Sequence, residues 1–193
     1  LLVIAGVLWL FIWIYNYLSG KNLAKDLLHY IKLNSRSLEE WDQYHTDITI
    51  NSDIVISLTT IPERIDKLDL TLKSLLYQRA KPASINIYVP ERCFRNNRPY
   101  NVPNYLQQLK NIHIRRVEKD YGPSTKFIHA LSQFPESQKI LVVDDDNIYP
   151  ENYVEQFTQA SQTNQGKILA ASGWRVPDDH IDRATMLISN ILK

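Results

Sequence analysis

The chain holds one cysteine, Cys93, in 193 residues, so no internal disulfide can form and the stapled secreted domain is excluded. Neither sign of charge is in excess: 22 basic residues face 21 acidic ones, for a formal net charge of +1. A broad basic face of the kind that binds nucleic acid is therefore absent. No internal repeat or low-complexity tract occurs. His29, His45 and His113 lack metal-ligand spacing and His129 falls within a helical pattern, so no zinc site is expected. Cys93 has no base pattern beside it that would make it a nucleophile, and the basic, polar stretch 92–98 reads as a flexible surface loop.

What is present begins with an uncharged run over the first 18 residues, LLVIAGVLWLFIWIYNYL, in which Asn16 is the one strongly polar side chain. A helix needs about 20 apolar residues to cross a hydrocarbon core, so residues 1–19 are expected to form a single-pass membrane anchor. Trp13, Tyr15 and Tyr17 sit toward the headgroup end, and Lys21 and Lys25 follow at once. No basic start and no small-x-small cleavage site favour a signal peptide. Lys21, Lys25, Lys32 and Arg36 on the visible flank tilt the following domain toward the cytoplasm. The missing initiator methionine suggests that sequence precedes Leu1.

Residues 20–50 read as a polar, partly helical stalk. Leu23, Leu27, Leu28 and Ile31 fall at helix spacing, and Ser37 is placed to cap a short helix through Glu40. From 51 onward the length suits one ordinary domain with a proper core. The patterns predict strands over 54–58, 84–89, 112–117, 140–143 and 167–172, alternating with helices over 67–79, 102–110, 124–133 and 151–162. Such alternation argues for an α/β fold, a mostly parallel sheet flanked by helices, whose ligands lie past the strand carboxyl ends.

Three loops fall at that edge. After the fourth predicted strand come Asp144, Asp145 and Asp146. In extended backbone, residues two apart share a face, so Asp144 and Asp146 are expected to share a divalent ion while Asp145 points toward a ligand hydroxyl or a neighbouring cation. Hard oxygen donors favour Mg²⁺ or Mn²⁺ over zinc. After the first strand comes TTIPER over 59–64, where Arg64 is suited to bidentate phosphate contact. After the third comes DYGPSTK over 120–126, where Gly122 and Pro123 turn the chain, Ser124 is placed to cap the next helix, and its amides with Lys126 offer an anion site.

The segments VISLTTIPERIDKLDLTLKSLLYQ, INIYVPE, DYGPSTKFIHAL and KILVVDDDNIYPENYVEQF, in that order, resemble the amino-terminal half of bacterial family 2-like glycosyltransferases of the GT-A nucleotide-diphospho-sugar transferase superfamily. The resemblance spans residues 53–177. It implies a Rossmann-like sheet and a nucleotide-sugar donor, with uridine diphosphate as the expected carrier. It also implies Mn²⁺ or Mg²⁺ bridging the diphosphate to Asp144 and Asp146, and a donor pocket built by Thr59, Pro62, Arg64, Asp120, Lys126, Asp144 and Asp145. The acceptor would be a glycan or a lipid-linked hydroxyl. Acceptor binding and the catalytic base normally belong to sequence beyond this point in the family, so the domain over 51–193 reads as truncated.

The base is not assigned by the sequence: Asp178, Asp179 and Asp182 are available after the turn at 173–177, and His180 could complete a metal site, but a polar surface loop is the favoured explanation of all four. Trp174 reads as packing rather than as a sugar platform. Two functions stay open: a membrane-tethered, metal-dependent glycosyltransferase, or a non-catalytic nucleotide-sugar-binding module that lacks its acceptor half. A phosphohydrolase would want a nucleophilic aspartate early in the domain, where the chain has Ser57, Leu58, Thr59 and Thr60.

Overall fold

Continuous apolar strands of four to eight residues are what a sheet buried on both faces requires, and here two such strands form the middle of one. The computed structural model describes the backbone of residues 2–19 and 22–171. Its centre is a four-stranded, all-parallel sheet, β1 (Val55–Thr59), β2 (Ser84–Pro90), β3 (Ile112–Val117) and β4 (Ile140–Val142), in the spatial order β3-β2-β1-β4. Register is fixed by Val55 opposite both Ser84 and Ile140, and by Ile85 opposite Ile112. Ile56, Leu58, Ile85, Ile87 and Val89 are fully buried. Helix α6 (Thr125–Gln133) lies over β1, β2 and β4. The chain divides into two compact units, 1–158 and 159–193.

The remaining helices are α1 (Leu2–Ser19), α2 (Leu23–Asn34), α3 (Leu38–Thr46), α4 (Asp69–Leu76), α5 (Asn104–Gln107) and α7 (Tyr153–Thr163). At about 1.5 Å per residue the 18 residues of α1 reach about 27 Å, short of an average hydrocarbon core of about 30 Å. Among the described residues, no helix is long and apolar enough to cross a membrane.

The second half of the expected stalk joins the core, while Leu23, Leu27, Leu28 and Ile31 stay exposed. Helix α3 starts with the capping box foreseen at Ser37: its side chain accepts from the Glu40 amide at 3.2 Å, while Glu40 Oε2 accepts from the Ser37 amide at 2.7 Å. The helix then buries Leu38 and Trp41 against α4. The Trp41 indole donates to the Leu33 carbonyl at 2.9 Å and packs on Tyr44 and Tyr77. Asp42, also buried, accepts from the amides of Lys110 and Asn111 at 2.7 and 3.0 Å. That capture ends α5 early, which is why the helix expected over 102–110 is a single turn.

Tertiary hydrogen bonds shorten a second helix in the same way. The pattern over 67–79 becomes a 3-10 turn at Ile65–Lys67 and then α4. Beyond Leu76 the Gln78 side chain donates to Pro150 O and accepts from Val154 N, and Arg79 N–H donates to Glu151 O. The strand expected over 167–172 does not form over its described residues 167–171, where Ile168 is fully exposed. A short apolar run without a ladder partner has no strand to join.

Candidate functional site

The sheet order places a topological switch point between β1 and β4, since the chain runs outward from β1 through β2 and β3 and then returns to the other side of β1. Open α/β sheets bind ligands in the crevice outside such a point. A pocket of about 300 Å³ lies at that place, lined by Thr59, Thr60, Ile61, Arg64, Cys93, Arg95, Tyr100, Asp120, Gly122, Pro123, Lys126, Asp144, Asp145 and Asp146. The loops after all four strands thus reach one cavity.

The acidic triplet is held from below. Val143 N–H continues the ladder to Ser57 O at 3.0 Å. The Tyr149 hydroxyl accepts from the Asp144 amide at 2.7 Å and donates to the Asp144 carbonyl at 3.1 Å, closing the turn. Burial pushes the Tyr149 hydroxyl up to about 12, so it keeps its proton and both bonds. Thr71 Oγ1, from α4, donates to the Asp145 carbonyl at 3.0 Å.

The carboxylates do not alternate as extended backbone would have them. The strand ends at Val142 and the chain turns at 145–146, so Asp144 and Asp146 meet different basic side chains. Arg64 Nη1 donates to Asp145 Oδ1 and to Asp146 Oδ2, each at 2.9 Å, and Thr60 Oγ1 donates to Asp145 Oδ2 at 2.6 Å. Asp144 instead pairs with Lys126, whose Nζ also donates to the Val143 carbonyl at 3.0 Å. Asp145 is 12% exposed, while Asp144 and Asp146 are each 61% exposed and open to the cavity.

Four other residues behave differently from expectation. Asp120 lines the pocket, but its carboxylate is occupied by Phe94 N–H and Gly122 N–H, both at 2.7 Å, and by the Thr125 hydroxyl at 2.9 Å. It ties the loop after β2 to the loop after β3. Thr125 Oγ1 also accepts from Tyr121 N–H at 2.8 Å. Ser124 makes no side-chain cap, because Asp120 and Thr125 already order that turn, where Gly122 adopts φ +61°. Pro62 stands outside the lining and shapes the turn closed by Arg64 N–H to Ile61 O at 2.9 Å. The Thr59 hydroxyl is spent on the Tyr88 carbonyl at 2.8 Å.

The loop after β2 is what sequence reasoning missed. Residues 92–98 read as a free surface loop, yet Cys93 is buried, and Cys93, Arg95 and Tyr100 line the cavity. The Tyr100 hydroxyl donates to Thr60 O at 3.0 Å, and burial raises its pKa. The rule that pointed to the other three loops covers this one too, since it follows a strand of the same sheet.

The lining carries four carboxylates, Asp120, Asp144, Asp145 and Asp146, against three cations, Arg64, Arg95 and Lys126. The excess is one negative charge, which disfavours a bare polyanionic ligand and favours one that arrives with a cation. No cluster of three His, Cys, Asp or Glu side chains around one metal position occurs among the described residues. Mg²⁺ is commonly held by one or two carboxylates plus substrate phosphates, so two exposed aspartates of hard-oxygen character fit such an ion. Asp178, Asp179, Asp182, His180 and Trp174 lie outside the described residues. No family model matches this chain, and no curated protein or solved structure does either.

Proposed function

We propose that the chain is a membrane-attached, metal-dependent glycosyltransferase of GT-A type, moving a sugar from a nucleotide-diphospho-sugar, most simply a uridine diphospho-sugar, to an acceptor hydroxyl. One observation carries the reading: at the switch point of a parallel sheet, a cavity gathers exposed carboxylates and basic side chains in nearly balanced numbers. The likeness in motif order over 53–177 supports the donor class.

The chain's own groups account for donor binding. Arg64 and Lys126 each rest on a carboxylate, and each presents donors that a diphosphate would compete for. Asp144 and Asp146 would then be free to ligate Mn²⁺ or Mg²⁺, with Asp145 kept by Thr60 as the fixed point of the turn. The ion, when bound, supplies Lewis-acid stabilisation of the departing diphosphate. In the transfer the bond from the anomeric carbon to the diphosphate oxygen breaks, and the nucleoside diphosphate leaves with the electron pair. The acceptor oxygen bonds to the same carbon, and its proton passes to a base. Arg64 and Lys126 stabilise the charge as it develops on the leaving group.

Helix α1 attaches the domain to the membrane in this reading. Trp9, Phe11, Trp13 and Tyr17 are all exposed, on a helix without charged residues. The basic residues after it favour the cytoplasmic side. A second reading, a nucleotide-sugar-binding module without transfer, draws on the carboxylates already being matched by protein cations, as in a structural network. Incubating the full chain with uridine diphospho-sugars and Mn²⁺ and following release of uridine diphosphate separates the two. Turnover that is lost in Asp146→Ala supports the enzyme; tight donor binding without turnover favours the module.

A further inference from the structure

Helix α4 is buried on two faces of opposite character. Leu72, Leu75 and Leu76 enter the hydrophobic core, whereas Thr71 and Ser74, joined by Gln78 just past the helix end, are buried polar side chains. Spacings of three and four residues align these three along one side. Between β4 and α7 the described chain forms neither strand nor helix, so its amides and carbonyls have no ladder to join. Side chains from α4 supply the partners instead. Thr71 Oγ1 donates to the Asp145 carbonyl at 3.0 Å, and Ser74 Oγ accepts from Tyr149 N–H at 3.0 Å. Gln78 spans the Pro150 carbonyl and the Val154 amide at 2.9 and 3.0 Å.

These contacts meet at Tyr149, all of whose polar groups are taken. Its amide goes to Ser74, its carbonyl to His29 Nε2 of α2 at 3.0 Å, and its hydroxyl to the Asp144 backbone, accepting at 2.7 Å and donating at 3.1 Å. A carbonyl can only accept, so His29 carries a proton on Nε2. Asp144 is thus gripped through its backbone while its side chain stays 61% exposed at the donor pocket. Thr71, Ser74, His29 and Tyr149 all stand outside that pocket's lining. Metal ligands depend on outer partners of this kind for their orientation.

We propose that Tyr149 is a positioning residue for Asp144, and that His29 of α2 with Thr71 and Ser74 of α4 sets the geometry in which the acidic turn receives a divalent ion. The ion-dependent affinity of the site is then governed by two helices outside the ligand pocket. This role rests on the metal-dependent donor reading; the clamp on the Asp144 backbone does not.

Titration calorimetry of the full chain with uridine diphosphate, in Mn²⁺ and in chelator, tests the role. Tyr149→Phe keeps the ring and loses the hydroxyl, Thr71→Val keeps the shape and loses the bond to Asp145, and His29→Leu frees the Tyr149 carbonyl. Each should cut the gain in affinity that Mn²⁺ brings by roughly tenfold or more, with affinity in chelator as in the parent. Thr71→Ser should restore the gain. Ser52→Ala removes a buried hydroxyl bonded to Thr158 and to the Ile54 amide, before the amino end of β1, and should melt lower yet keep the full gain. A gain unchanged in Tyr149→Phe and Thr71→Val, or lost equally in Ser52→Ala, overturns the proposal. Affinity that falls equally with and without the ion in those variants overturns it as well, because that marks general loosening. Amide exchange reports on the clamp without any ligand: Asp144 should exchange faster in Tyr149→Phe, and an unchanged rate overturns the clamp. A parent in which Mn²⁺ brings no gain sinks the donor reading and the positioning role with it, while the exchange result still stands.

Discussion

Removing Arg64 separates what the acidic turn needs for folding from what a ligand needs for binding. Its Nη1 bridges Asp145 and Asp146, each at 2.9 Å. The Asp146 contact is exposed at both ends and is worth under about 1 kcal/mol. The Asp145 contact is better shielded, at 12% exposure, but Arg64 itself is 39% exposed, so screening holds the pair to about 1–2 kcal/mol. Arg64→Ala should therefore lower the melting temperature by only about 3–6 °C. Binding should suffer more: a charge-assisted hydrogen bond to a phosphate contributes about 1.5–3 kcal/mol, or about ten- to hundredfold in affinity. Arg64→Lys keeps the charge but loses the fork and should fall between. Calorimetric titration with uridine diphosphate and Mn²⁺, run beside thermal melts, reads both effects. Unchanged affinity with lowered stability would show that Arg64 only anchors the turn, and the donor-site argument would lose its main cation.

Three further outcomes follow from the packing. Deleting residues 1–50 removes the buried Leu33, Leu38 and Trp41, together worth roughly 5–9 kcal/mol, which rivals the whole stability of an ordinary domain. That fragment should show no cooperative melt, whereas removal of 1–21 should leave one. His45, buried with its Nδ1 3.0 Å from the Leu76 carbonyl, has a lowered pKa, chiefly because burial disfavours its charge. The unfolded chain then takes up the proton first, so urea-melt stability should fall as pH drops below about 6.5, and less so in His45→Gln. At the alkaline end, burial pushes Tyr77 and Tyr149 up to about 12, so stability should fall above about pH 10, where the unfolded tyrosines ionise first, as absorbance-monitored unfolding can follow.

The strands were legible because both faces of a parallel sheet are buried, and runs such as VISL and INIYV carry that signal without ambiguity. Helix lengths were not legible where a distant side chain intervened. Asp42 takes the amides that α5 would have used, and Gln78 and Arg79 bond to 150–154 instead of extending α4. Nothing local in those segments announces a partner 68 or more residues away. The burial around Trp41 was hidden for a related reason: the polar composition of the segment masks that this residue, on one face of a capped helix, is among the largest fully buried side chains.

At the site, position was easier to read than orientation. The rule about strand carboxyl ends put Thr59, Arg64, Asp120, Lys126 and the acidic triplet in one place, and they line one pocket. Side-chain direction depended on where β4 stops, and stopping at Val142 exchanged the expected alternation for a turn in which Asp145 and Asp146 converge on Arg64. Asp120 shows the same limit, since only the fold reveals that its oxygens are committed to Phe94, Gly122 and Thr125.

The account stands on Asp144 and Asp146 accepting a divalent ion that a sugar donor's diphosphate completes. Titrating the full chain with a uridine diphospho-sugar, with and without Mn²⁺, and repeating it with Asp146→Ala, addresses that claim directly. Heat that appears only with the ion in the parent, and an affinity in Asp146→Ala that no longer responds to the ion, is the predicted result. Equal binding in the presence of the ion or of a chelator would contradict it.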